Sequence, residues 1–225
     1  MVRKFFSKGR DLLTAPQESV LSAATVIMLA IGASRLLGLV RNTVLAHFFT
    51  PSDISLFFAS FRLPDTIFEI LVFGTFSSAF IPVFTRIVKK DRSEAWKVAS
   101  TVLNIGLVAF IFFGLIVGLL ADNLYSIFAP GYTQSQREQI VQITRVLLGS
   151  QLFFVLSYLL TGVLESLKRF LVPAFAPIFY NLGIILGTVL FSEKFGLMGP
   201  PLGVLLGAFS HFLVLLPLAM KLGFK

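Results

Sequence analysis

Residues 102–121 read VLNIGLVAFIFFGLIVGLLA, twenty residues without a charge. At 1.5 Å per residue a helix of that length spans about 30 Å, the thickness of the hydrocarbon core of a bilayer. The segment is apolar around its whole circumference, so it has no face to offer water. The rest of the chain is similar: of 225 residues, 56% are hydrophobic and 13% charged, and the mean hydropathy is +0.89. Such values describe an integral membrane protein, and the length of the apolar runs points to helices. Allowing about 20 residues for each span and several for each loop, the chain has room for roughly six transmembrane helices and for no large catalytic domain outside the membrane. The net charge of +8 therefore does not mark a nucleic-acid partner, which would require a basic water-facing domain. Cysteine is absent, which excludes disulfides, thiol catalysis and Cys-ligated metal.

Two regions are expected: a basic cytoplasmic arm at 1–18 and a six-helix transmembrane lobe at 19–225. The arm carries Arg3, Lys4, Lys8 and Arg10 and has no small-residue cleavage site before the first apolar stretch, so it reads as retained. Spans are expected at 19–48, 53–88, 95–121, 138–165, 170–192 and 197–222, separated by turn or charge clusters such as Pro51-Ser52-Asp53, Lys89-Lys90-Asp91-Arg92 and Ala129-Pro130-Gly131. Cations divide unevenly between the two sides. The arm, the loop after span two (Arg86, Lys89, Lys90, Arg92, Lys97), the loop after span four (Lys168, Arg169) and the tail (Lys221, Lys225) hold thirteen, against only Arg137 and Lys194 opposite. That asymmetry places both termini in the cytoplasm and requires an even number of spans.

The four remaining cations, Arg35, Arg41, Arg62 and Arg145, fall inside apolar segments, where a charge at the bilayer centre costs about 2.5 to 3.5 kcal/mol and needs a partner or a watery cavity. Span one carries Ser34-Arg35-Leu36-Leu37-Gly38-Leu39-Val40-Arg41-Asn42. On a helix Arg35 and Arg41 lie about 60° to either side of Gly38 and about 9 Å apart along the axis. Two guanidinium forks so placed, with no acid in their own helix, suit a diphosphate or another multiply charged anion. The alternatives are snorkelling to the interface, for which Arg41 is the better placed, or pairing with acids on span two. There Arg62, Asp65 and Glu69 share a helical face, so Arg62 either pairs locally or lines the cavity, and Glu69 could hold a proton or a cation. Arg145 reads as interfacial, and His211 as a packed, hydrogen-bonded histidine.

Glycines four apart at Gly114/Gly118, Gly183/Gly187 and Gly199/Gly203/Gly207 mark helix faces that approach closely. Pro173 and Pro177 suggest a bent or broken start to span five. There is no nucleophile elbow, no phosphate-binding glycine loop and no metal spacing between His47 and His211, so neither an enzyme nor a cofactor is expected.

Taken together, these segments resemble the N-terminal six-helix half of the MurJ/MviN family, lipid II flippases of the multidrug/oligosaccharidyl-lipid/polysaccharide exporter superfamily. The resemblance is carried by Ser34-Arg35-x-x-Gly38-x-x-Arg41, Phe57-Phe58-Ala59-Ser60-Phe61-Arg62-Leu63-Pro64-Asp65, Gly74-Thr75-Phe76-Ser77-Ser78, Ala129-Pro130-Gly131, and Arg169 through Pro177 with Asn181. It implies one lobe of a two-lobed transporter whose central cationic cavity receives the pyrophosphate and head group of a polyprenyl-linked cell-wall precursor and moves it outward by alternating access. Arg35 and Arg41 match family cavity arginines, and Ser34 their small polar neighbour. Where the family has an Arg pair before the glycine-aromatic stretch of span two, this chain has Phe68 and Glu69. One cavity cation is replaced by a carboxylate, and the acid after the second arginine of span one is Asn42. The expected substrate-binding set is therefore Arg35, Arg41, Arg62, Ser34, Asn42 and Glu69. The expected partners are the polyprenyl-pyrophosphate lipid, membrane lipids, and either a second copy in a parallel homodimer or a second six-helix lobe. A cation-coupled exporter of the same superfamily, or a non-transporting module paired with a partner lobe or cell-wall synthase, are the competing readings.

Overall fold

The computed structural model describes residues 20–73 and 80–224. The expected basic arm and the Gly74-Thr75-Phe76-Ser77-Ser78 segment lie outside them. The described residues are all helical: α1 (Val20–Phe48), α2 (Pro51–Ala59), α3 (Arg62–Phe68) running into a π-helical turn (Glu69–Phe73), α4 (Ile81–Val88), α5 (Arg92–Phe128), α6 (Gln134–Ser166), α7 (Leu171–Phe195), a single 3-10 turn (Gly196–Met198) and α8 (Gly199–Leu222). Four stretches are long and apolar enough to cross a membrane, 27–48, 92–128, 134–166 and 171–222, the last containing both α7 and α8. The chain is a multi-pass membrane protein.

α6 is the axis of the bundle. Half of its apolar window is buried, against 11% for α5 and 6% for α1, and it packs on α5, α8, α3 and α4, while α1 rests mainly on α7. α5 has 37 residues, about 55 Å of helix, so its ends extend beyond the hydrocarbon layer. Ile105, Val108, Phe112, Leu115 and Leu119 form an exposed stripe along it, with Leu119 79% accessible, as a lipid-facing surface requires. α2 and α6 start with capping boxes at Thr50/Asp53 and Thr133/Gln136, and the Asp91 carboxylate accepts from the Ser93 and Glu94 amides at the start of α5.

The stretch expected to form a single span at 53–88 is broken. Pro64 has no N–H to give the Ser60 carbonyl, its i−4 acceptor. The ladder stops at Ser60 and Phe61, and the freed acceptors are met from other helices. Thr144 Oγ1 on α6 donates to the Ser60 carbonyl at 3.0 Å. The Tyr125 hydroxyl on α5 reaches the Ala59 and Ser60 carbonyls at 3.2 and 3.3 Å and lies 3.0 Å from Thr144 Oγ1. Ser60 and Thr144 are both fully buried, so these bonds satisfy groups that would otherwise be orphaned in an apolar interior. The start of α7, by contrast, is not broken. It runs unbroken from Leu171, with Pro173 in the first turn, where a missing N–H has no helical acceptor to disappoint, and Pro177 inside.

α7 and α8 are joined by three residues and run antiparallel through the glycine faces that the spacing predicts. A Cβ on Gly183 would meet the Gly207 backbone, one on Gly187 the Gly203 backbone, and one on Gly199 the backbone and hydroxyl of Ser192. Backbone therefore lies against backbone, and hydrogen replaces a side chain because nothing larger fits. α8 ends at Gly223, whose φ of +117° suits glycine and lets the Phe224 amide bond the Ala219 carbonyl. Trp96 at the base of α5 donates to the Leu222 carbonyl at 2.9 Å and stacks edge-on against Phe224. That contact puts the start of α5 and the end of α8 at the same end of the bundle. Arg169, in the α6–α7 connection, is there too: burial and the neighbouring Arg92 charge both push its guanidinium below its ordinary pKa.

Two expectations follow, both readable as thermal melting in detergent. Gly203→Ala forces the α7–α8 backbones apart and costs about 1 to 3 kcal/mol, whereas Gly149→Ala, where an added Cβ meets nothing within 4 Å, is neutral or stabilises by up to about 1 kcal/mol. Tyr125→Phe and Thr144→Val each leave the Ser60 carbonyl one donor, but together they leave it none. The double variant therefore loses more than the sum of the singles, by about 1 to 3 kcal/mol; strictly additive losses would show that the two hydroxyls do not share this task.

Candidate functional site

The first part of the site is built where α1 meets α7, around one buried amide. Asn181 is 7% exposed. Its Nδ2 donates to the Ser34 backbone carbonyl and hydroxyl at 3.3 and 3.2 Å, and its Oδ1 accepts from Arg41 Nη1 at 3.1 Å. Arg41 Nε and Nη2 both donate to Asn42 Oδ1, at 3.1 and 3.0 Å. The half-buried guanidinium is thus held inward rather than snorkelling. Of its five N–H groups three are engaged among the described residues, which leaves one each on Nη1 and Nη2 able to meet an anionic oxygen.

Arg35 does not share this contact. On the helical wheel Ser34 and Arg41 fall about 20° apart, while Arg35 lies about 120° from Arg41. The face that meets Asn181 takes the first two and leaves Arg35 exposed, without a hydrogen bond among the described residues. The wedge predicted from the spacing is present, but only one edge of it is packed.

The second part is an open cavity of about 460 Å³ lined by α3 and its π-helical turn, α6, α7 and α8, with Asp65, Glu69, Gln151, Ser157, Thr161, Tyr180 and His211 among its polar lining. Asp65 Oδ1 accepts from Gln151 Nε2 at 2.7 Å, so its partner is an amide on α6 and not Arg62. Arg62 is exposed at the start of α3, does not line this cavity and forms no ion pair among the described residues. The local ion pair considered for it with Asp65 or Glu69 is thus not formed among the described residues. Glu69 faces the cavity from the first residue of the π-helical turn, an irregularity that shifts the helix register and re-aims its side chains. Tyr180, beside Asn181 on α7, connects the two parts: it lies within electrostatic reach of both the Arg41 guanidinium and the Asp65 carboxylate. His211 packs edge-on against Phe154, but its buried Nδ1 has no hydrogen-bond partner, contrary to the bonded histidine expected. Arg145 lies apart, in a lipid-facing groove between α5 and α6, where its Nε donates to the Gly118 carbonyl at 3.1 Å.

Asn181 and Gln151 are the residues that spacing did not single out for a role. The available signal was a lone amide in an apolar helix, which usually marks an interhelical hydrogen bond. Among the described residues no cluster of His, Asp and Glu is arranged to hold a metal.

Comparison with known proteins agrees with this architecture. The profile of the family described as lipid II flippase MurJ matches residues 44–225. A probable lipid II flippase MurJ of Buchnera aphidicola subsp. Acyrthosiphon pisum is 32% identical over 196 residues, which is 84% of this chain and 38% of that protein. One of Borreliella burgdorferi is 28% identical over 200 residues, covering 88% and 39%, and the lipid II flippase MurJ of Thermosipho africanus is 27% identical over 207 residues, covering 90% and 42%. Among solved structures, a lipid II flippase MurJ in an inward closed conformation superposes with a TM-score of 0.74 at 24% identity, over 88% of this chain and 42% of that one, which supports the fold. This chain thus spans about two fifths of the length of the relatives it matches. With the profile matching from within α1 to the last residue, the chain belongs to the lipid II flippase MurJ family.

Proposed function

We propose that this chain forms one six-span lobe of a flippase that moves a polyprenyl-pyrophosphate-linked cell-wall precursor, such as lipid II, across the cytoplasmic membrane by alternating access. The observation that carries the reading is the guanidinium of Arg41, held by Asn181 and Asn42 with two N–H groups unspent, since a fixed bidentate fork at membrane depth is the arrangement that recognises phosphate. Arg35, exposed one and a half turns away on the same helix, supplies a second cation that can reach the same anion from its other side. The opposing lobe is furnished by a second six-span unit, either a second copy of the chain in a parallel homodimer or a separate lobe; an even span number gives both units the same orientation. The end of the bundle at which Arg92, Arg169 and Lys221 gather faces the cytoplasm, in keeping with the bias of cations to that side.

In liposomes containing the protein and a labelled polyprenyl-pyrophosphate lipid, Arg41→Ala should weaken lipid binding by about tenfold or more, and Arg35→Ala by less, as expected for losing a charge-assisted bidentate contact and a single flanking cation. Asn181→Leu leaves the charge but frees the fork, so it should lower affinity while Arg41→Lys fails to restore it. Binding and transbilayer movement that survive both arginine substitutions would overturn the reading.

A further inference from the structure

The second cavity has the opposite electrostatic character from the arginine fork. Asp65 and Glu69 stand one helical turn apart and line the same space, and no Lys or Arg lines it among the described residues. One oxygen of Asp65 is committed to Gln151; Glu69 makes no hydrogen bond or ion pair among the described residues. Both carboxylates are exposed to this space, and with no Lys or Arg beside them they make its wall attractive to a cation. Its walls say which kind. Phe61, Phe68, Phe154, Tyr158 and Tyr180 line the same space, and aromatic faces attract organic cations. Pro177 cannot donate to the Pro173 carbonyl, which leaves an acceptor without its i−4 donor on a turn that lines the cavity. A volume of about 460 Å³ far exceeds what one coordinated inorganic ion occupies and suits the end of a flexible chain.

We propose that this cavity is a subsite for a primary ammonium group carried at the distal end of the substrate's head group, with Asp65 and Glu69 as its counter-charges and the aromatic side chains as its walls. The inference rests on the flippase reading and deepens it: Tyr180, which lines the cavity, is next in sequence to Asn181, which holds Arg41, so one bound molecule would present phosphate to α1 and ammonium to α3.

The test uses purified protein and two synthetic polyprenyl pyrophosphates that differ only at the end of the head group, one bearing a free aminoalkyl chain and the other its N-acetyl form. The expected result is that the wild type binds the amine at least about tenfold more tightly, the scale of leaving a desolvated charge pair incomplete. Glu69→Gln should abolish that preference, while Glu69→Asp retains part of it. Asp65→Asn, which can keep a hydrogen bond to Gln151, should act in the same direction. Equal affinity for the two lipids, or a preference untouched by Glu69→Gln and Asp65→Asn, overturns the proposal. So does thermal stabilisation by sodium chloride that depends on Glu69 when butylammonium chloride at equal ionic strength gives none. If neither lipid binds, butylammonium alone separates the two readings: stabilisation lost in Glu69→Gln upholds the ammonium subsite and removes the flippase reading, and no stabilisation removes both.

Discussion

The buried carbonyl of Ser60 is the constraint on which the rest of the lobe depends. A proline four residues on denies it a helical donor, and in an apolar interior it cannot turn to water. Two hydroxyls from two different helices must therefore converge on it, Tyr125 from α5 and Thr144 from α6. This ties the break between α2 and α3 to the axis of the bundle and fixes where α3 starts. From that start the position of Asp65 against Gln151 follows, and one turn later the position of Glu69. The same irregularity that costs a backbone hydrogen bond thus brings a carboxylate pair to the cavity wall.

The two halves of the site use opposite solutions to burying charge. On α1, a permanently charged guanidinium is stabilised by amide oxygens that supply partial negative charge but no formal neutralisation, so Arg41 keeps its attraction for an anion. On α3, Gln151 does the converse for Asp65, donating through its Nε2 to one oxygen and leaving the net charge in place. In each half a neutral amide, Asn181 or Gln151, holds an ion in position without quenching it.

Much of this could be read from residue order. The uncharged run at 102–121 announces a spanning helix, the glycine spacing at 183, 187, 199, 203 and 207 announces a close helix pair, and Ser34, Arg41 and Glu69 were picked out as candidates by being charged or polar where such residues are costly. What could not be read depends on long-range geometry. Asn181 lies 147 positions from Ser34 and Gln151 lies 86 from Asp65, and no periodicity reports such pairings. For Arg35 and Arg41 a helical wheel gives the angles but not which edge meets a neighbour, and it is Arg41, the better placed of the two to snorkel, that Asn181 holds. The second span looked continuous because Pro64 tells where a helix is weakened, while only the presence of Tyr125 and Thr144 opposite determines that it breaks.

The three-residue connection between α7 and α8 bears on how the bundle is built. Helices joined so closely and matched backbone to backbone form a self-contained hairpin over residues 171–222. Its turn is flanked by Glu193 and Lys194, adjacent in sequence and opposite in sign, so that end of the hairpin adds no net charge to the bundle.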